Sequence, residues 1–199
     1  MCKFVSRIAS IATLTTAAGA GLAQGTLTYF WDVNGTGSNT ATIGPGETVS
    51  LRLLAAWDGP GSGFAGSIYD ILGIENWDTG TVTRYDNLLD ELTGDGNLQP
   101  NNDILGIESF QLPPAFNPNF DRSNPIAIYE IDWTPDDYTA RTVRLTDANH
   151  LNDTIYTDDF GTSIEFDRNP SEGATIHIIP APGVLAFAPI GLLACRRRR

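Results

Sequence analysis

Cysteine is nearly absent: the 199 residues hold only Cys2 and Cys195. Neither lies in the body of the chain, residues 24–179, which excludes a disulfide scaffold, a thiolate zinc site and a cysteine nucleophile there. Lysine is scarcer still, with Lys3 the single example. The two histidines, His150 and His177, are too few for a histidine-based metal triad and show no HExxH spacing. No GxSxG marks a nucleophile elbow and no GxxxxGKS or GxxxxGKT a phosphate cradle, so the chain reads as non-enzymatic. No period of about 20 to 50 residues repeats, which disfavours a propeller or solenoid.

Positive charge is the largest deficit. Beyond the terminal cations Lys3, Arg7 and Arg196 to Arg199, only Arg52, Arg84, Arg122, Arg141, Arg144 and Arg168 remain against 24 acids, a charge of -18 between Asp32 and Glu172. Such a surface repels phosphate backbones and excludes nucleic acid as a partner. It suits an exported protein or one that collects cations.

What the body does contain is short β-like segments separated by Gly, Asn, Asp and Pro clusters, without a long helical period. TLTYFWDV at 26 to 33 is rich in β-branched and aromatic residues and ends at Asn34-Gly35. Val49, Leu51, Leu53 and Ala55 alternate with Ser50, Arg52 and Leu54, which predicts one buried face with Arg52 toward water. Further strands are predicted at Ala65–Ile74, Thr81–Tyr85, Ile104–Leu112, Ile126–Trp133, Arg141–Thr146, Thr154–Thr157, Ser163–Phe166 and Ala174–Ile179. Asn87 to Leu92 reads as one short helix, and Pro113 to Pro125 as a long ordered loop. The expectation is an all-β, antiparallel β-sandwich of nine or ten strands, jelly-roll or cohesin-like.

Both ends read as addresses. Lys3 and Arg7 precede an apolar stretch from Ile8 to Ala20 and a run of small residues, the pattern of a secretory signal peptide over residues 1–23 with cleavage between Ala23 and Gln24. Residues 180–199 combine a Pro-rich entry, a short apolar segment from Gly183 to Cys195 and four terminal arginines. The apolar segment is shorter than the roughly 20 residues of a spanning helix, and the arginines favour the cytoplasmic side. The tail therefore reads as a short apolar helix that tethers the chain to the membrane before processing.

The ordered set Pro180-Ala181-Pro182-Gly183, apolar segment and Arg196, Arg197, Arg198 and Arg199 resembles a PEP-CTERM sorting signal of the PAPG type. Ala181 stands where the signature has Glu, and Pro189 interrupts the apolar stretch. The resemblance implies an exosortase-like membrane enzyme and signal peptidase as processing partners, and an exopolysaccharide-matrix setting. Gly44-Pro45-Gly46-Glu47-Thr48-Val49, followed later by Gly63-Phe64-Ala65-Gly66-Ser67-Ile68-Tyr69-Asp70-Ile71, resembles the opening of cohesin-like extracellular sandwiches.

Candidate sites within the body are few. Asp95, Asn97, Asn101 and Asp103 place oxygen-bearing side chains at alternate positions, as a calcium loop does, although plain turn chemistry accounts for them too. Pro100 and Gly106 occupy the positions where an EF-type loop needs Gly and a bidentate acid. Asp136-Asp137 and Asp158-Asp159 read as solvated pairs. Of the aromatics, Trp57 and Trp77, beside Gly and Asp turns, are the ones expected on the surface as ligand platforms, the others forming core. The combined expectation is an exported protein of the cell envelope, cell surface or extracellular matrix, with a structural or adhesive role. The alternative is a carbohydrate- or protein-binding module, with or without calcium.

Overall fold

The computed structural model describes residues 25–89 and 93–180, and these form two facing β-sheets. In chain order the strands are β1 (Thr26–Val33), β2 (Thr40–Ile43), β3 (Val49–Trp57), β4 (Gly63–Glu75), β5 (Gly80–Asn87) and β6 (Asn97–Leu98). They continue with β7 (Ile104–Phe110), β8 (Ile126–Pro135), β9 (Arg141–Tyr156), β10 (Ser163–Glu165), β11 (Asp167–Asn169) and β12 (Ala174–Ile178). One sheet has the order β11-β1-β3-β8-β5, the other β2-β12-β9-β4-β7-β6 with β10 added to β9. Pairing is antiparallel except where β11 joins β1 and β12 joins β2. The all-β sandwich expected from the alternating pattern is what the chain forms.

The alternation explains the core directly. Val49, Leu51, Leu53 and Ala55 of β3 are fully buried while Arg52 between them is exposed, as the period of two requires. Opposite them lie Phe64, Tyr69 and Ile71 of β4, Ile104 and Ile107 of β7, and Val143, Leu145 and Ile155 of β9. Three tryptophans, Trp31, Trp77 and Trp133, are among the largest buried side chains. The rings of Trp77 and Trp133 stack with centroids 5.5 Å apart and planes at 16°.

The strand expectations fail where polar residues carry the pairing. Arg141–Thr146 and Thr154–Thr157, expected as two strands, belong to the single strand β9 of 16 residues. The short strands β2, β6 and β11 were not expected, so the described residues hold twelve strands where nine or ten were predicted. Asn87 closes β5 where a helix was expected to begin, and residues 90–92 lie outside the described residues. The helical turn that is present, a 3-10 turn at Trp77–Thr79, links β4 to β5. The Pro113–Pro125 segment carries no strand, as expected of a loop. The segments assigned to export and sorting, with Ala23, Gln24, Ala181, Pro182, Gly183 and Arg196 to Arg199, also lie outside; Pro180 is the last residue described.

Gly80 makes the tryptophan stack possible, because a Cβ there would run into the Trp133 ring and come within 2.6 Å of the Thr134 carbonyl oxygen. Gly80→Ala is therefore expected to destabilise the fold by about 1–3 kcal/mol, the cost of overpacking a filled core. A chemical-denaturation midpoint unchanged from the parent would contradict this account of the stack.

Candidate functional site

β9 breaks the strand rule at its centre. In a regular strand, residues three apart face opposite sides, yet Asp147, His150 and Asp153 all turn inward, with the His150 side chain 1% exposed and that of Asp147 fully buried. The backbone explains it. Asn149 and Asn152 sit in the left-handed region at φ 53° and 57°, a conformation Asn tolerates better than other side-chain-bearing residues. The register to β4 shows the extra residues: Ala148 pairs with Asp70, Leu151 with Ile68 and Thr154 with Gly66, three residues of β9 against two of β4 at each step. Two successive β-bulges thus convert a three-residue spacing into one inward face.

The inward trio is fully engaged. His150 Nε2 lies 2.9 Å from Asp147 Oδ2, and Nδ1 lies 3.3 Å from Asp153 Oδ1. Across the sandwich, β1 supplies two donors: Tyr29 OH to Asp153 Oδ1 at 2.8 Å and Trp31 Nε1 to Asp147 Oδ1 at 3.1 Å. Ser67 of β4 donates to Asp153 Oδ1 at 2.6 Å. The imidazole stacks on the Tyr69 ring with centroids 5.2 Å apart and meets the Tyr29 ring, tilted by 42°, at 4.3 Å. Burial alone would lower the His150 pKa, but hydrogen bonds and charge from Asp147 and Asp153 outweigh it and raise the pKa. Burial would likewise raise both carboxyls, but the His150 bonds, with Ser171 on Asp147 and Ser67 and Tyr29 on Asp153, hold them below their usual value.

Ser67, His150 and Asp147 contain the residue types of a hydrolase triad without its working geometry. Ser67 is fully buried and its hydroxyl proton goes to Asp153. Its approach to His150 is a long 3.3 Å contact at Nδ1, the nitrogen that a triad reserves for its carboxylate. The arrangement ties strands together and leaves no exposed nucleophile.

The outward faces of the two sheets differ. On the β3-β8-β5 face, Arg52 and Arg84 both reach Glu130, and Arg84 also pairs with Asp86, a cross-strand ladder of satisfied charge. On the β7-β4-β9 face, Leu151 is 63% exposed and Ile74 54%, joined by Leu105, Ile68, Leu72 and Phe110. Ile68 stands opposite Leu151 on one side and Glu108 on the other. At the centre, Asp70 accepts from the Gly106 amide at 2.7 Å and from Asn149 Nδ2 at 2.6 Å, pinning β7 and β9 to β4. Asn149 thus shapes the interior by its backbone and the outer face by its side chain.

No protein-family model and no curated protein matches this sequence. Solved structures do. The seventh ScaB type I cohesin of Pseudobacteroides cellulosolvens matches with a TM-score of 0.54 at 10% identity, over 79% of this chain and 95% of that one. The OlpA cohesin from a type I cohesin–dockerin complex of Clostridium thermocellum matches with a TM-score of 0.53 at 10% identity, over 77% of this chain and 99% of that one. The chain has a cohesin-like fold.

The cohesin-like sandwich distributes the sequence-derived candidates among different jobs. The Asp95–Asp103 stretch is a hairpin: β6 pairs with β7, Gln99 N–H bonds the Asp103 carbonyl at 2.7 Å, and Asn102 N–H the Gln99 carbonyl at 2.9 Å. The side chains serve different strands, Asp95 Oδ1 accepting the Asn87 amide of β5 and Asp103 Oδ1 the Gly73 amide of β4. Asn101 donates to Asp103 Oδ2, while the Asn97 side chain lies on the exposed β6. Among the described residues no group of three His, Cys, Asp or Glu side chains is placed to hold a metal ion. The residue that organises this loop is Asn102, which was not singled out: it is buried, in the left-handed region, and donates to the Trp77 and Gly80 carbonyls at 2.9 and 2.8 Å. Its position before a strand-like run is the only signal the sequence offered.

Trp77 corrects its expectation. It is 2% exposed, stacked on Trp133, with its indole N–H on the Asn102 carbonyl, so it offers no ligand platform. The polar neighbours that suggested a surface position are the turn that buries it. Trp57, at the end of β3, is half-buried against the core, and its backbone is clamped by both amide atoms of the Asn124 side chain. The adjacent acids are turn and ion-pair residues: Asp137 pairs with Arg141, Asp159 with Arg122, and Asp158 Oδ1 caps the amides of Phe160, Gly161 and Thr162.

Tyr29→Phe removes one donor from a buried carboxylate while keeping the ring, and is expected to cost about 1–3 kcal/mol. The acid limb of the stability curve has a fixed sign. Because both carboxyls have lowered pKa values in the fold, their contribution is present above the unfolded value of about 3.9 and lost as pH falls through the folded values. Asp153→Asn is expected to flatten that acid limb in thermal melts across pH; an unchanged limb would contradict the assignment.

Proposed function

We propose that this chain is an exported, non-enzymatic module that binds a protein partner through the outer β7-β4-β9 face of its cohesin-like sandwich. The observation that carries the reading is the contrast between faces: one bears a ladder of paired charges, the other uncovered Leu151, Ile74 and Leu105, with half-buried Ile68, around the pinned Asp70. A cluster of exposed apolar side chains on one face of a sheet, rimmed by polar groups, is the signature of an interaction surface. The OlpA cohesin was solved bound to a dockerin, which supports a protein as the occupant. Burial of Trp77 weighs against an aromatic sugar platform.

Delivery to this role follows from the terminal segments: signal peptidase acts at Ala23–Gln24, and an exosortase-like enzyme processes the tail near Pro180 to Gly183 and leaves the body at the cell surface or in the exopolysaccharide matrix. There the module is structural or adhesive, holding a partner rather than turning over a substrate. Intact-mass analysis of the protein fractionated from its native host is expected to show both termini removed. A variant lacking Arg196 to Arg199 is expected to stay in the membrane fraction; equal fractionation of the two would refute the sorting role.

The docking face has its own test. The parent and the Ile74→Asp and Leu151→Asp variants, each checked for an unchanged melting curve, would be used to capture proteins from the host's extracellular fraction. A partner retained by the parent and weakened at least about tenfold by either substitution is expected, since central apolar contacts dominate such interfaces. Identical capture by all three would remove this face from consideration.

A further inference from the structure

We propose that the proton on His150 locks the doubly bulged segment of β9 between the two sheets, and that losing it loosens the 148–152 stretch on the outer face. The geometry makes His150 the one cation of the cluster. Facing it are Asp147 and Asp153 of β9, Tyr29 and Trp31 of β1, and Ser67 and Tyr69 of β4, with Ser171 on Asp147. None of these brings positive charge. Arg52, Arg84, Arg122, Arg144 and Arg168 are exposed at the surface, and Arg141 pairs with Asp137.

Protonated, the imidazole donates from both nitrogens, one to each carboxylate. Neutral, it has a single N–H, so one carboxylate loses a charge-assisted bond and the buried pair loses its only counter-charge. Ion pairs broken in this one-sided way are costly because they leave an uncompensated buried charge. The strain falls on Asn149 and Asn152, which flank His150 in left-handed backbone conformations that persist only while the surroundings hold them. The same stretch presents Asn149, bonded to Asp70, and the exposed Leu151 on the outer face. A proton lost inside is thus felt two residues away outside. Tyr29 and Trp31, which bond the two carboxylates, also line an open groove of about 520 Å³ with Asn39 and Glu172.

The direction is set by the raised histidine pKa: the stabilisation is complete below the unfolded value of about 6.5 and is lost as pH rises through the folded value. The reference is the same histidine in the parent chain unfolded in denaturant. The His150 ring resonances would be followed by NMR on the folded and the unfolded parent protein, with amide hydrogen exchange of the folded protein at 147–153 corrected for the intrinsic rate. His150 is expected to titrate above its unfolded value of about 6.5, with protection of the stretch falling about tenfold for each unit of separation between its folded and unfolded pKa values. His150→Gln is expected to lack this step. His150 titrating at or below its value in the unfolded chain, or an equal step in His150→Gln, would overturn the lock; if that variant does not fold, the parent's own titration and exchange decide. A consequence rests on the docking reading above: partner capture should weaken as pH rises through the same range. Capture that is constant while the lock titrates would refute that consequence alone, and absent capture at every pH would refute the docking face without touching the lock.

Discussion

An imidazole held between two carboxylates in the space between two sheets is the constraint around which this sandwich is arranged. Charge in such a place is tolerated only when it is paired and hydrogen-bonded, and both requirements are met. β1 supplies a phenol and an indole, β4 a hydroxyl and β9 all three charged groups. The donors come from both sheets, so the cluster fixes their separation and registration as well as β9 itself. A purely apolar core would hold the layers together without specifying this one alignment.

The bulges have a cost and a purpose that lie on opposite sides of one strand. Inside, they bring Asp147, His150 and Asp153 to a common face; outside, they aim Asn149 at Asp70 and push Leu151 into solvent. Gly106, at φ 69° on β7, meets the other oxygen of Asp70. The far face is finished differently, with Glu130 drawing Arg52 and Arg84 over its surface. A strongly acidic chain thus uses two of its few arginines to close one face and leaves apolar side chains uncovered around Asp70 on the other.

The part of the site that was legible is the part that follows a simple period. Val49 to Ala55 announced a buried face and the Pro/Gly turns announced the sandwich. The trio was not legible because Asp147, His150 and Asp153 are spaced by three, a spacing that in a strand separates side chains to opposite faces. Asp-Ala-Asn-His-Leu-Asn-Asp reads as a loop until the left-handed Asn149 and Asn152 are seen. Trp77 misled for a related reason: Asn76 and Asp78 beside it look like a surface turn, yet the turn folds the indole inward against Trp133. Asp95 to Asp103 forms a hairpin whose carboxylates answer amides on two different strands, partners that its composition does not reveal.

By itself the sequence determined the fold class, the inward and outward sides of the regular strands, and the acidic character of the body. These follow from local alternation and composition, which act wherever the chain happens to lie. The tertiary structure decided which polar residues meet, because Tyr29 and Asp153, 124 positions apart, become partners only when the sheets close. It likewise decided which apolar residues stay uncovered, since Leu151 and Ile71 differ in burial through the register of their strands and the bulges within them, not through their own chemistry.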